Sequence, residues 1–110
     1  MEHINRIELQ GNVGTVRASE HNGSKVVNFT LVTDFLYKTR DGGAANDGMW
    51  HNIVAWNGND MPDLDLIVKG TAVNVIGRLR ISRYTSAEGV EKQFYEVMAS
   101  KVRILNEQDN

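Results

Sequence analysis

Cysteine is absent from the chain and proline occurs once, at Pro62. Without cysteine there is neither a disulfide framework nor a thiolate metal site. The histidines His3, His21 and His51 show no close paired spacing, so no metal and no cofactor is expected. No stretch approaches the run of about 18 apolar residues that a membrane span requires. The start, MEHINRIELQ, also lacks a basic segment followed by an apolar one, so the cytoplasm is the expected compartment. An excess of basic charge is missing too: 12 lysines and arginines face 14 acids, a formal net charge of −2. That argues against a protein whose whole surface grips nucleic acid, although net charge says nothing of its distribution. What remains is one domain's worth of chain, 110 residues with 41% hydrophobic and 24% charged content.

Strand signals run almost throughout. Ile4 to Gly11 is extended, and residues 12–17 continue it with Gly14 placed for a bulge or sharp bend. HNGS at 21–24 is a turn, after which residues 25–33, KVVNFTLVT, alternate Val27, Phe29 and Leu31 against Asn28, Thr30 and Val32. Residues 35–39 extend that strand, and RDGGAANDG at 40–48 reads as a mobile hairpin loop, too polar to pack. Met49 to Asn57 is a third strand. NDMPDLDLIVKG at 59–70 reads as one or two turns of helix, with Asp60 near the N-cap and Pro62 in the first turn. Residues 71–81 form a fourth strand with Val73, Val75, Leu79 and Ile81 on one face, and SAEGVE at 86–91 leads into a fifth strand over 92–105. Strands, glycine-marked bends and no sign of a parallel crossover give an all-β class. The order predicts a five-stranded Greek-key barrel of the OB-fold type, with a short helix between strands three and four over residues 1–105 and a short polar tail at 106–110. A β-sandwich is the alternative.

Aromatics make up only 7% of the chain, yet both tryptophans lie in GMWHNIVAWNG, residues 48–58. Strand alternation puts Trp50, Asn52, Val54 and Trp56 on one face and Met49, His51, Ile53 and Ala55 on the other. At about 3.3 Å per residue the indoles stand roughly 20 Å apart, a reach of about three stretched nucleotides. Tryptophan is more often a packing residue than a ligand platform, and period alone leaves both readings open. In GRLRISRYT, residues 77–85, three arginines occur without an acid and Tyr84 follows Arg83. Cations interleaved with aromatics suit a single strand, whose backbone needs charge and whose unstacked bases need flat partners; a solvated face is the plainer reading of such a cluster.

The ordered set IELQGNVG (7–14), VVNFTLVT (26–33), MWHNIVAWNG (49–58), LIVKGTAVNVIGRLR (66–80) and FYEV (94–97) resembles the DNA-binding domain of bacterial single-stranded DNA-binding proteins, from about Ile4 to Leu105. The resemblance implies an OB-fold protomer that stacks bases on four aromatics, which fall on Tyr37, Trp50, Trp56 and Tyr84. It also implies phosphate contacts, for which Arg78, Arg80 and Arg83 are the candidates, with Lys38 and Arg40 as helpers, and it places His51 at a subunit contact. Sequence-independent binding and protection of single-stranded DNA in replication, recombination or repair follows as the expected function. The expected assembly is a nucleoid-associated homotetramer, with a dimer as the alternative. The long tail common in that family ends in an acidic, apolar tip; NEQDN at 106–110 offers two acids and no such tip, so the partners that tip recruits are not expected. A truncated domain and an accessory member from a plasmid or mobile element both fit this ending. The segment NDMPDLD departs from the longer, more basic helix of the family.

Two other functional classes have less support in the residues. Primosomal replication protein N, a dimeric relative of similar length, works largely through protein contacts, but usually lacks the full aromatic set. An enzyme has thin support: His51 near Asp47 or Asp60 has no nucleophile, phosphate loop or metal-ligand spacing beside it.

Overall fold

Alternation of β-branched and polar residues carries the chain through five long strands: β1 (Ile7–His21), β2 (Ser24–Lys38), β3 (Ala44–Trp56), β4 (Ala72–Thr85) and β5 (Glu91–Ile104). A computed structural model describes residues 1–105; the tail expected at 106–110 lies outside the described residues. The strands close into a barrel in the order β1-β2-β3-β5-β4, with β1 returning to β4. This is the five-stranded barrel expected from the sequence. Closure uses one contact that the sequence reading did not foresee. β3 meets β5 in parallel over only two residue pairs, Ile53 with Val97 and Val54 with Met98. The long antiparallel ladders need no crossover, whereas joining the two remaining edges of a closed sheet does.

One inward row from each strand fills the barrel. Val13, Val27, Phe29, Leu31, Ile53, Ala55, Val73, Val75, Val97 and Val102 are buried together, and Leu64 and Ile67 join the same cluster from the segment between β3 and β4. The short helix expected in that segment is a single 3-10 turn, Leu64–Leu66. Asp63, not Asp60, is its N-cap, accepting from the Asp65 N–H. The physical reason is spacing. Residues three apart eclipse in a 3-10 turn, so one such turn delivers both Leu64 and Ile67 to the barrel. The Asp60 carbonyl is engaged elsewhere, accepting from the Val102 N–H at 3.2 Å.

Two bulges set which side chains face inward. In β1 the register with β2 shifts between Val13 and Val16, around Gly14, as the glycine suggested. In the β4–β5 ladder it shifts at Ile76 and Gly77, leaving Ser100 as the extra residue, and the Ser100 hydroxyl donates to the Ile76 carbonyl at 3.0 Å. Gly77 is needed there, because a Cβ would stand 2.2 Å from the Met98 carbonyl oxygen.

Two hairpins outrun the core. Residues 44–48, assigned to a loop by their polarity, instead pair with Asp34–Lys38 and lengthen the β2–β3 hairpin into an arm. Ladder hydrogen bonds come from the backbone, so polar and glycine residues can pair in solvent without packing. The true turn is 39–43: Gly42 takes φ of 87°, and the Thr39 hydroxyl and the Gly43 N–H donate to Asp41, whose carboxyl they hold below its ordinary pKa. The β4–β5 hairpin projects likewise, so Leu79 and Ile81, expected in the core, are exposed. Their row is the inward one, but the barrel has ended before they are reached. β1 starts at Ile7 rather than Ile4, which is exposed.

Leu31 is fully buried at the centre of the cluster. Leu31→Ala should lower the unfolding free energy by about 2–5 kcal/mol, seen as a reduced urea midpoint with an unchanged slope.

Candidate nucleic-acid interface

The outer surface of β2 and β3 carries the row Val26, Asn28, Thr30, Val32 against Trp56, Val54, Asn52, Trp50, paired in that order. Both indoles are open to solvent, Trp50 at 66% and Trp56 at 40%, while Val54 between them is 8% exposed. The tryptophan face is therefore not the core, although it is closed at its middle. Buried Val54 belongs to this outer surface and not to the barrel cluster.

Each indole has a seat. A Cβ built on Gly14 would lie 2.5 Å from Cζ3 of Trp50 and 2.5 Å from Oγ1 of Thr30. Trp50 thus reaches across β2 and lies on the bare backbone of the β1 bulge, where the Thr15 N–H donates to the Thr30 hydroxyl at 2.9 Å. Trp56 has His21 beside it, ring centroids 5.8 Å apart and tilted by 48°. His21 closes β1 just before the turn in which Asn22 and Gly23 take φ of 52° and 82°.

One face of the β4–β5 hairpin completes the surface. Its cross-strand pairs are Arg78 with Met98, Arg80 with Glu96, Ser82 with Phe94 and Tyr84 with Lys92. Between this face and the outer sheet runs a cleft of about 1070 Å³, with Thr30, Asn52 and Val54 on one side and Tyr84, Phe94 and Glu96 on the other. Arg80 is committed: its Nε donates to Glu96 Oε1 at 2.9 Å and its Nη2 donates to the same oxygen. Glu96 is only 7% exposed, so the pair fixes the wall of the cleft while cancelling one of its positive charges.

The structure unites some of the sequence candidates and separates others. Trp50 and Trp56 share the outer sheet, and Tyr84 overlooks the cleft on the same hairpin face as Arg78 and Arg80. Arg83 pairs with Gln93 on the opposite face, in the row of Leu79 and Ile81. Tyr37, Lys38 and Arg40 lie on the free end of the β2–β3 arm; along an unbroken ladder Tyr37 falls in the row of Leu31 and Thr33, not in that of the tryptophans. His51 is half-buried on the inward row, its Nε2 2.9 Å from the Thr33 hydroxyl, and burial lowers its pKa. Three cleft residues, Arg17, Phe94 and Glu96, were not singled out from the sequence. The β1 bulge turns Arg17 outward beside Asn28, and locating Phe94 opposite Ser82 requires the β4–β5 register. Among the described residues no group of three or more side chains is placed to hold a metal, and no helix is long and apolar enough to cross a membrane.

The sequence model of the Single-strand binding protein family matches residues 4–105. The chain belongs to that family. Similar single-stranded DNA-binding proteins include one from Xanthomonas axonopodis pv. citri, 30% identical over 93% of this chain and 58% of its own length. Another, from Xylella fastidiosa, is 29% identical over 100% of this chain and 84% of its own. The chain spans about three fifths of the length of the first of these relatives. The Plasmodium falciparum SSB in complex with ssDNA superposes with a TM-score of 0.80 at 28% identity, covering 96% of this chain and 98% of that one. A Thermus aquaticus single-stranded DNA binding protein, at 19% identity and a TM-score of 0.75, shares the fold.

The seat under Trp50 can be tested in this family member without any ligand. In a Trp56→Phe background, Gly14→Ala should displace the indole and shift tryptophan emission to the red. Gly58→Ala is the control: a Cβ there meets nothing nearer than the Trp56 carbonyl at 3.9 Å.

Proposed function

We propose that this chain is a sequence-independent binder of single-stranded DNA, acting in the cytoplasm as a nucleoid-associated protein in replication, recombination or repair. The observation that carries the reading is the exposure of Trp50 and Trp56 on the outer face of a closed barrel, beside a cleft that Tyr84 overlooks. A core that needed the indoles would have buried them. Likeness to the Plasmodium falciparum SSB complex with ssDNA supports the same reading.

Stacking on Trp50, Trp56 and Tyr84 supplies the main binding energy, about 1–3 kcal/mol per base and tolerant of base identity because every base has a π-face. Tyr37 adds a fourth platform when the strand follows the arm. Arg78 contributes phosphate contacts, helped by Lys38 and Arg40; Arg83 faces away from the cleft, and Arg80, held by Glu96, adds more to the shape of the wall than to its charge. The role is passive: the strand is held and protected, with no catalytic step and no cofactor. Residues 1–105 form the binding domain.

Assembly as a homotetramer fits the same chain. Leu79, Ile81 and Tyr95 form an exposed apolar row on the far side of the β4–β5 hairpin, a surface that association would cover. His51 is assigned to a subunit contact. Light scattering should report four chains per particle; a dimer would instead align the protein with the primosomal replication protein N type of assembly.

Titration with oligo-dT should quench tryptophan fluorescence, and added salt should weaken binding. Trp56→Ala should lower affinity about tenfold for dT, dC and dA oligomers alike. Unchanged fluorescence together with no mobility shift at low salt would discard the DNA reading in favour of a protein-interaction module.

A further inference from the structure

We propose that Phe94 is a further base-stacking residue, extending the aromatic path from Tyr84 into the cleft between the outer sheet and the β4–β5 hairpin. The inference rests on the single-stranded DNA reading above and names a contact that the tryptophans and tyrosines do not supply. Phe94 is 39% exposed and its side chain lines the cleft. Directly across the ladder stands Ser82, too small to cover a phenyl ring. The ring instead meets Tyr84 diagonally, centroids 6.1 Å apart at 61°, an edge-on contact that leaves ring surface open.

The wall beneath is rigid. One residue pair further along the same face, Arg80 and Glu96 lock β4 to β5, so Phe94 is held on a fixed backbone. Across the cleft lie Asn52 and Thr30, together with Val16 and with Phe29, Ile53 and Val54, the last three already buried in their own packing. At 39% exposure the phenyl ring is left uncovered by that mixed floor, across a cleft of about 1070 Å³. A flat base inserted beside Tyr84 would cover it, with the base edge toward Asn52. The contact is to the π-face, so it favours bases generally and not one sequence.

The test uses Phe94→Leu, Phe94→Tyr and the Tyr84→Ala background. Leucine keeps apolar bulk but removes the π-face, whereas tyrosine keeps it. Affinity for oligo-dT, measured by anisotropy of the labelled oligomer, should fall about tenfold in Phe94→Leu and stay within about twofold in Phe94→Tyr. An oligomer of abasic sites should bind wild type and Phe94→Leu equally, because it has nothing to stack. In the Tyr84→Ala background Phe94→Leu should still weaken binding. Wild-type affinity in Phe94→Leu would overturn the proposal, as would a loss that vanishes once Tyr84 is gone, since Phe94 would then only prop Tyr84. An equal loss on the abasic oligomer would overturn it too, pointing to a disturbed wall. If wild type itself fails to bind oligo-dT, the DNA reading falls and this contact with it; binding by wild type confines any failure to Phe94.

Discussion

Closure of the sheet is the constraint on which the rest of the molecule depends. Five strands can share one small core only if each gives it a single inward row, and that row here is almost entirely Val, Leu, Ile and Phe. Once the barrel is filled this way, the outer row is released from packing except at Val26 and Val54, which are buried on it. The tryptophans, the asparagines and the hairpin cations sit on that released surface. Their exposure follows from the core being complete without them, and it is what makes the surface available to a ligand.

Closure also explains why both hairpins project. The barrel has room for only part of strands that run for 13 to 15 residues. Beyond that limit the alternation persists but its meaning changes. Leu31 and Phe35 occupy the same row, yet one is fully buried and the other open to solvent. Val75 and Ile81 differ in the same way on β4. The projecting parts carry Tyr37 and Arg40 on one arm and Tyr84 and Phe94 on the other, so the surface widens beyond the barrel without enlarging its core.

The class, the strand order and the tryptophan face were legible because each rests on a local period: Trp50 and Trp56 are an even number of residues apart in an unbroken strand. Family resemblance then gave that face a ligand to be tested. Less legible was anything decided by where strands stop or slip. Polarity made 44–48 look like a loop, although backbone pairing is indifferent to it. Asp60 looked like the helix cap, whereas the cap is Asp63, on a turn just long enough to deliver Leu64 and Ile67 to the barrel end. The directions of Arg17 and Phe94 were not legible because one depends on the exact slip at the β1 bulge, which Gly14 marks without fixing, and the other on the β4–β5 register.

The extra residue at Ser100 has a wider meaning than a local irregularity. On its hairpin side β5 turns odd-numbered residues inward, Val97 and Ala99; on its other side it turns even-numbered ones inward, Val102 and Ile104. Ser100 therefore works as a phase shift within one strand, letting a half that closes the barrel and a half that builds the cleft wall obey different parities. Were Ser100 paired as an ordinary ladder residue instead of bulged out, the strand would have one phase only. Either Glu96 would be turned toward the core or Val102 toward water, so the site and the core cannot drift in register independently of each other.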